Sequence, residues 1–155
     1  MAIITEDTPI GYALPQVSRK LDVGLNQIKT NDGQLDTIHT DAEAAAREGL
    51  SEPIAIGSRI FGVIPRMMMI CFDEGWIVGG KGSVVTRRPA GIDDLVTAKG
   101  YVKGKTVETE EKLRIECEVW VETDKGVKVM VGQCSGLVTR TAPSVSYTHL
   151  TLPTT

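Results

Sequence analysis

The residue best suited to acid–base chemistry in this chain is His39. The chain has 155 residues and two histidines, and the other, His149, lies within the last seven residues. The ordinary pKa of an imidazole lies near neutrality, so His39 is the side chain that could both accept and donate a proton there. The alternative is a structural histidine that bonds a backbone group. A further alternative is a histidine retained after catalysis was lost. We favour the chemical interpretation, because His39 stands alone outside the C-terminal tail and lies in a recognisable sequence motif, described below.

Two predicted helices would position this histidine. Thr40 and Glu43 form a capping box, the alanine-rich stretch 42–46 favours helix, and Gly49 stands where a helix ends. Asp41 is assigned to the N-terminal charge of this helix. A second helix is predicted after Pro53 and through the apolar run GSRIFGVIPRMMMICF, which indicates a buried core helix. Pro65 predicts a kink or break near Ile64. Met67, Met68 and Met69 could line an acyl pocket, but core packing is the favoured interpretation.

The C-terminal half predicts strands. Residues 112–122 alternate, with apolar side chains at Leu113, Ile115, Cys117, Val119 and Val121 and polar or aromatic ones between them. Residues 123–126 read as a hairpin turn, after which Val127, Val129 and Val131 resume the alternation. Residues 83–88 and 95–103 are further strand candidates, 14–30 carry a weaker signal, and 79–83 read as a linking loop without the spacing of a phosphate-binding loop. One long helix followed by hairpins predicts the α+β class, with an antiparallel sheet wrapped around the helix.

Composition narrows the class of protein. The chain is 41% hydrophobic and 24% charged with a net charge of -3 and scattered cations, so we expect a globular protein without nucleic acid or membrane partners. Cys71, Cys117 and Cys134 fit neither a disulfide framework nor a zinc site, which predicts a reduced, cytoplasmic protein with buried thiols. No motif for a metal or a separate cofactor is visible. We expect one domain over residues 1–140 and a disordered or non-native tail over 141–155.

Four segments together resemble the MaoC-like hydratases and dehydratases. They are Ile38-His39-Thr40-Asp41, the stretch GLSEPIAIG at 49–57, the turn from Arg88-Pro89 to Asp94, and Ala98-Lys99-Gly100-Tyr101-Val102. The resemblance covers roughly residues 30–138, in order and at fitting spacings. It implies a single hot-dog domain, in which a curved antiparallel sheet wraps around a central helix.

The resemblance also implies a reaction, the addition of water across the double bond of a 2-enoyl thioester. In that family an aspartate five residues before the histidine and the histidine itself hold the water, and amides at the start of the core helix receive the thioester oxygen. His39 and Gly57 match, whereas Gln34 stands at the aspartate position and Asp36 at the family's asparagine. Asp36 is therefore the predicted carboxylate partner, ahead of Asp32. The expected substrate contacts are Gln34, Ile56, Gly57 and Ser58, although Ser58 could instead cap the helix.

The leading hypothesis is thus a hydro-lyase that interconverts 2-enoyl and 3-hydroxyacyl thioesters of coenzyme A or an acyl carrier protein. A hot-dog thioesterase is an alternative, and so is a binding protein that lost its base at Gln34 or acts on an altered substrate. By analogy with hot-dog domains we expect a homodimer in which the two sheets join, with Trp120 a candidate interface residue.

Overall fold

The computed structural model describes residues 1–21, 42–47, 49, 60–91 and 94–141. Within these residues the chain forms five antiparallel strands and three helices. The strands are β1 (Val17–Lys20), β2 (Lys81–Thr86), β3 (Leu95–Val107), β4 (Lys112–Thr123) and β5 (Lys128–Thr139). The helices are α1 (Ala42–Arg47), α2 (Val63–Phe72) and α3 (Glu74–Gly79). The strands form one sheet in the order β1-β3-β4-β5-β2, and α2 contacts β1, β3, β4 and β5. The α+β architecture predicted from the sequence is confirmed.

The β4–β5 hairpin forms where the sequence predicts it. The amide of Gly126 donates to the carbonyl of Thr123 at 2.9 Å, and the amide of Thr123 donates to Val127 at 2.9 Å. Gly126 has φ +80°, a conformation that glycine adopts without steric cost. The five predicted apolar positions of β4 are all buried, at 7% exposure or less. The period of two therefore identified the core face of this strand correctly.

Arg114 is an exception to that alternation. It lies on the predicted solvent face, yet it is buried at 8% exposure. Its guanidinium donates to the Glu108 carboxylate at 2.9 Å, to the Gly79 carbonyl at 2.8 Å and to the Ser135 hydroxyl at 2.9 Å. Helix α3 covers this part of the outer face, so the arginine stays buried with its charge paired and its donors used.

The connection from α2 to β2 differs from the prediction. Residues 79–83 were expected to form a loop and 83–88 a strand, but β2 begins at Lys81 and ends at Thr86, and Gly80 alone separates it from α3. Helix α3 was not predicted from the sequence. Asp73 separates α2 from α3 with φ 50° and ψ -120°, a strained conformation for a residue with a side chain. The backbone therefore turns sharply after α2 and places α3 beside β5.

Helix α2 is shorter than the predicted core helix in the described residues. A turn residue, Gly62, separates it from the helical residues Ile60 and Phe61, so the break lies two residues before Ile64 as expected. Pro65 is the third residue of α2, where a backbone N–H would have no partner within the helix. The proline is therefore accommodated in the first turn rather than at a kink.

The hydrophobic core lies between α2 and the inner face of the sheet. Met67 and Met68 are fully buried, which confirms core packing for both, whereas Met69 is 37% exposed. Phe72, at the end of α2, packs on Gly136 of β5, where an added Cβ would lie 2.4 Å from the Phe72 ring. The absence of a side chain at Gly136 thus allows the helix to approach the sheet closely.

The N-terminal segment covers the free edge of β3 beyond β1. The amide of Gly11 donates to Val102 at 2.7 Å, the amide of Leu14 donates to Gly100 at 2.9 Å, and the amide of Val102 donates to the carbonyl of Tyr12 at 2.9 Å. Ile4 and Leu14 are buried against the core. These contacts satisfy backbone groups that an open edge would expose.

Candidate functional site

All the residues predicted to act on the substrate lie outside the described residues. They are Gln34, Asp36, His39, Ile56, Gly57 and Ser58, together with the alternative carboxylate Asp32. Their roles therefore remain predictions. The described structure does show the elements that adjoin these residues in the sequence, and those elements can be compared with the expected site.

Helix α1 lies three residues after His39 in the sequence. It spans Ala42–Arg47, with Glu43 in its first turn and Arg47 in its last. Both charges are favourable for the helix dipole. Gly49 has φ +80° and its amide donates to the carbonyl of Ala46 at 3.0 Å, a helix-ending arrangement. The predicted short helix is confirmed, while its capping residue Thr40 lies outside the described residues.

The turn at 91–94 joins several elements around Asp94. Its carboxylate accepts a hydrogen bond from the Gly91 amide at 2.8 Å and lies 3.4 Å from the Lys125 ammonium. Its carbonyl accepts from the amide of Leu21 at 2.9 Å. Leu21 is buried and is the last described residue before the segment that carries the predicted catalytic residues. Asp94 thus fastens the beginning of that segment to the start of β3.

Ile60 marks the other end of the predicted site. It is buried at 1% exposure and lies three residues after Gly57 in the sequence. Val63 and Ile64, the first two residues of α2, are fully buried as well. The described chain thus resumes at a buried residue just before the core helix, while Gly57 lies outside the described residues.

The three cysteine thiols lie in the core rather than in a reactive position. Burial raises the pKa of the Cys71 thiol to about 12 and that of Cys134 to about 11, and it raises the pKa of Cys117 still further. Cys117 and Cys134 face each other across β4 and β5, and all three thiols are free. A thiolate is the reactive form, so these residues pack as small apolar side chains, as predicted. Among the described residues no group of side chains could hold a metal ion.

A groove of about 550 Å³ lies at the end of the sheet near the C-terminus of α2. Six of the first seven residues, the start of α3 and the end of β5 contribute to its walls. Phe72 and Leu137 supply apolar surface, while Glu6, Asp73 and Glu74 carry carboxylates. The groove thus adjoins the end of α2 rather than its beginning.

Several apolar side chains of α3 and β2 are exposed. Ile77 and Val78 of α3 are 69% and 65% exposed, and Val85 of β2 is 55% exposed. Among the described residues β2 is an edge strand, paired with β5 on one side. Exposed apolar surface beside an open strand edge is typical of an interface. Within the described residues, no helix has the length and hydropathy needed to cross a bilayer.

The antiparallel sheet and its helix match solved structures of the hot-dog fold. The chain has the hot-dog fold. A MaoC-like dehydratase from Rhodospirillum rubrum superposes with a TM-score of 0.70 at 15% identity, over 88% of this chain and 97% of that one. An (R)-hydratase from A. caviae involved in PHA biosynthesis gives a TM-score of 0.65 at 15% identity, over 86% and 98%. A monoamine oxidase regulatory protein from Archaeoglobus gives 0.70 at 22% identity, over 91% and 97%.

The hot-dog neighbours cover nearly the whole chain, and MaoC-like dehydratases and R-hydratases are among them. No protein-family model and no curated protein matches the sequence. The predicted fold is confirmed, and the solved structures that share it include those to which the four sequence segments pointed. At these identities the likeness establishes the hot-dog fold, and it leaves the activity to be proposed.

Proposed function

We propose that this hot-dog protein is a hydro-lyase that reversibly hydrates a 2-enoyl thioester to a 3-hydroxyacyl thioester. The observation that carries the proposal is the hot-dog fold, a five-stranded antiparallel sheet around a core helix, which matches a MaoC-like dehydratase and an (R)-hydratase over most of their length. The sequence segments that resemble this family flank the described elements α1, α2 and the turn at Asp94. The thioester would be carried on coenzyme A or an acyl carrier protein.

In this proposal His39 exchanges a proton with the substrate. Asp36 orients the imidazole and favours its protonated, charged form. Gln34, Ile56 and Ser58 contact the substrate, and the backbone amide of Gly57 donates to the thioester oxygen. An enolate-like charge develops on that oxygen when a proton is added or removed beside the carbonyl. Amides at a helix start stabilise such a charge, which is why the start of the core helix suits this role.

The test is the loss of the conjugated enoyl-thioester absorbance when purified protein meets crotonyl-coenzyme A and longer-chain analogues. His39→Ala and Asp36→Asn should each reduce turnover by about 10²–10⁴-fold, the usual contribution of a positioned acid or base. Asp32→Asn is the matched control and should retain activity. If Asp32→Asn abolishes turnover while Asp36→Asn does not, the carboxylate assignment is wrong.

A thiol reagent in a parallel reaction separates the alternatives. Release of free thiol would indicate a hot-dog thioesterase instead of a hydro-lyase. Binding of the thioester without hydration or thiol release would indicate a binding protein, for which Gln34 at the position of the family aspartate is the motivating observation. Either result would replace the hydro-lyase proposal.

We also propose that two copies associate through β2 and α3. The exposed Ile77, Val78 and Val85 and the open edge of β2 support a second copy as the occupant, because strand pairing would extend the sheet and bury the apolar side chains. Sedimentation equilibrium at micromolar concentration should show a dimer. Ile77→Glu with Val85→Lys should give a monomer, whereas Ile10→Glu, equally exposed at the other edge, should not. A monomeric wild-type protein would refute the interface.

A further inference from the structure

Helix α3 is fixed to the rest of the fold at both of its ends. Near its start, Gly75 lies so close to β5 that a Cβ there would collide with the Leu137 carbonyl oxygen. At its end, the Gly79 carbonyl accepts a hydrogen bond from the Arg114 guanidinium at 2.8 Å. A helix of six residues is too short to be stable by itself, so such contacts determine where α3 lies.

Between these two contacts α3 presents apolar surface. Ile77 and Val78 are exposed, whereas the preceding residue, Trp76, is partly buried and packs against the core. The exposed pair belongs to the surface through which we propose that two copies associate. The position of this pair depends on the position of α3, which Arg114 helps to fix.

The Arg114 side chain links three separate parts of the chain. Besides Gly79 of α3, it donates to the Glu108 carboxylate in the β3–β4 connection and to the Ser135 hydroxyl of β5, both at 2.9 Å. Arg114 is buried, and replacing a buried ion pair by well-packed apolar side chains is often neutral for stability. What apolar side chains could not supply is the planar set of donors that fixes α3 relative to its two neighbours.

We infer that Arg114 is a positioning residue for the association of two copies, because it holds α3 where Ile77 and Val78 meet the second copy. This inference rests on the proposed association through β2 and α3. Arg114→Lys keeps the charge, but a single ammonium cannot reproduce the fork that binds three acceptors at once. If only about a third of the molecules then kept α3 in place, the dimer dissociation constant would rise about tenfold, since both copies must have that arrangement.

The test is sedimentation equilibrium of the full chain over a range of concentrations. Arg114→Lys should raise the dimer dissociation constant about tenfold. Glu108→Gln is a milder variant that keeps the arginine and removes the charge of one acceptor, and it should raise the constant less, about two- to threefold. Val121→Ala, in the core seven residues along β4 from Arg114, is the control for a general loss of stability and should leave the dissociation constant unchanged.

Hydrogen exchange of the peptide that spans residues 73–80 measures how firmly α3 is held when the copies are apart. In the Ile77→Glu, Val85→Lys protein, which we expect to be monomeric, adding Arg114→Lys should speed this exchange several-fold, while adding Val121→Ala should not. A monomeric wild-type protein would refute the proposed association, and the inference with it. If the wild type dimerises but neither variant of the ion pair weakens the dimer more than Val121→Ala does, or if this exchange is unchanged, the inference alone is overturned.

Discussion

The contact between Gly136 and Phe72 determines how closely α2 approaches the sheet. A Cβ at position 136 would lie 2.4 Å from Cγ of Phe72 and 2.6 and 2.7 Å from the two Cδ atoms. Phe72 is buried at 2% exposure, so moving its ring away from the new methyl group would expose apolar surface that is now covered. Gly136→Ala must therefore shift the helix or force the ring out of its rotamer.

The magnitude follows from two opposing effects. Overpacking of a core costs about 1–3 kcal/mol, whereas replacing glycine by alanine lowers the entropy of the unfolded chain and returns about 0.4–1 kcal/mol. The net destabilisation should be about 1–2 kcal/mol, or a fall in Tm of about 2–8 °C for a chain of this size. Urea unfolding at fixed protein concentration measures it, with the exposed Gln133→Ala on the same strand as the control.

A second substitution tests whether the clash is the cause. Phe72→Leu alone should cost about 1–2 kcal/mol because it leaves space beneath the helix. In the double variant with Gly136→Ala, the new methyl group fills that space. The double variant should therefore be about 1 kcal/mol more stable than the sum of the two single effects predicts. Additive effects, or a Gly136→Ala protein as stable as the wild type, would refute this account of the packing.

Three further predictions concern the buried arginine, the turn at Asp94 and the thiols. Arg114→Met should destabilise the fold by about 1–3 kcal/mol in urea, because it leaves the Gly79 carbonyl and the Ser135 hydroxyl without their donor. The hydrogen bond from Arg114 lowers the pKa of Glu108, so the stabilisation by this pair exists above the usual glutamate pKa and disappears as pH falls through the lowered value. The stability difference between wild type and Glu108→Gln should accordingly shrink on acidification, and a difference that grows would contradict the assignment. Asp94→Ala should lower the free energy of unfolding by about 1–2 kcal/mol, whereas Lys125→Ala, which removes an exposed ammonium, should lower it by under about 0.5 kcal/mol. Equal losses would mean that the ion pair, and not the hydrogen bond to Gly91, holds the turn. In a thiol-labelling experiment at pH 8, Cys71 and Cys134, with pKa values of about 12 and 11, should react only after unfolding, and rapid labelling of the native protein would show that they are accessible.

Local patterns in the sequence predicted much of the fold. The alternation in β4, the turn ending at Gly126 and the glycine that follows α1 are each set by a residue and its near neighbours. The burial of Met67 and Met68 follows from the same apolar run that predicted the core helix. These features could be predicted because periodicity and backbone preference act over a few residues.

Long-range contacts decided the features that the sequence analysis missed. Helix α3 is glycine-rich and has no amphipathic pattern, and it lies beside β5 because Gly75 and Gly79 allow close contact with Leu137. Arg114 fits the alternation of a solvent face, and it is buried only because α3 returns over it. The predicted catalytic pair of Asp36 and His39 remains a prediction from the sequence, since both residues lie outside the described part of the chain.

The sequence by itself determined most of the elements, the core face of β4 and the family of folds to consider, because those depend on short-range order. The tertiary structure alone decided the presence of α3, the strand order of the described sheet with β2 at its edge, and the position of Asp94 between Leu21 and Gly91. Each of these features depends on residues that are distant in the sequence and are brought together by packing. No local sequence pattern predicts which of them will be in contact.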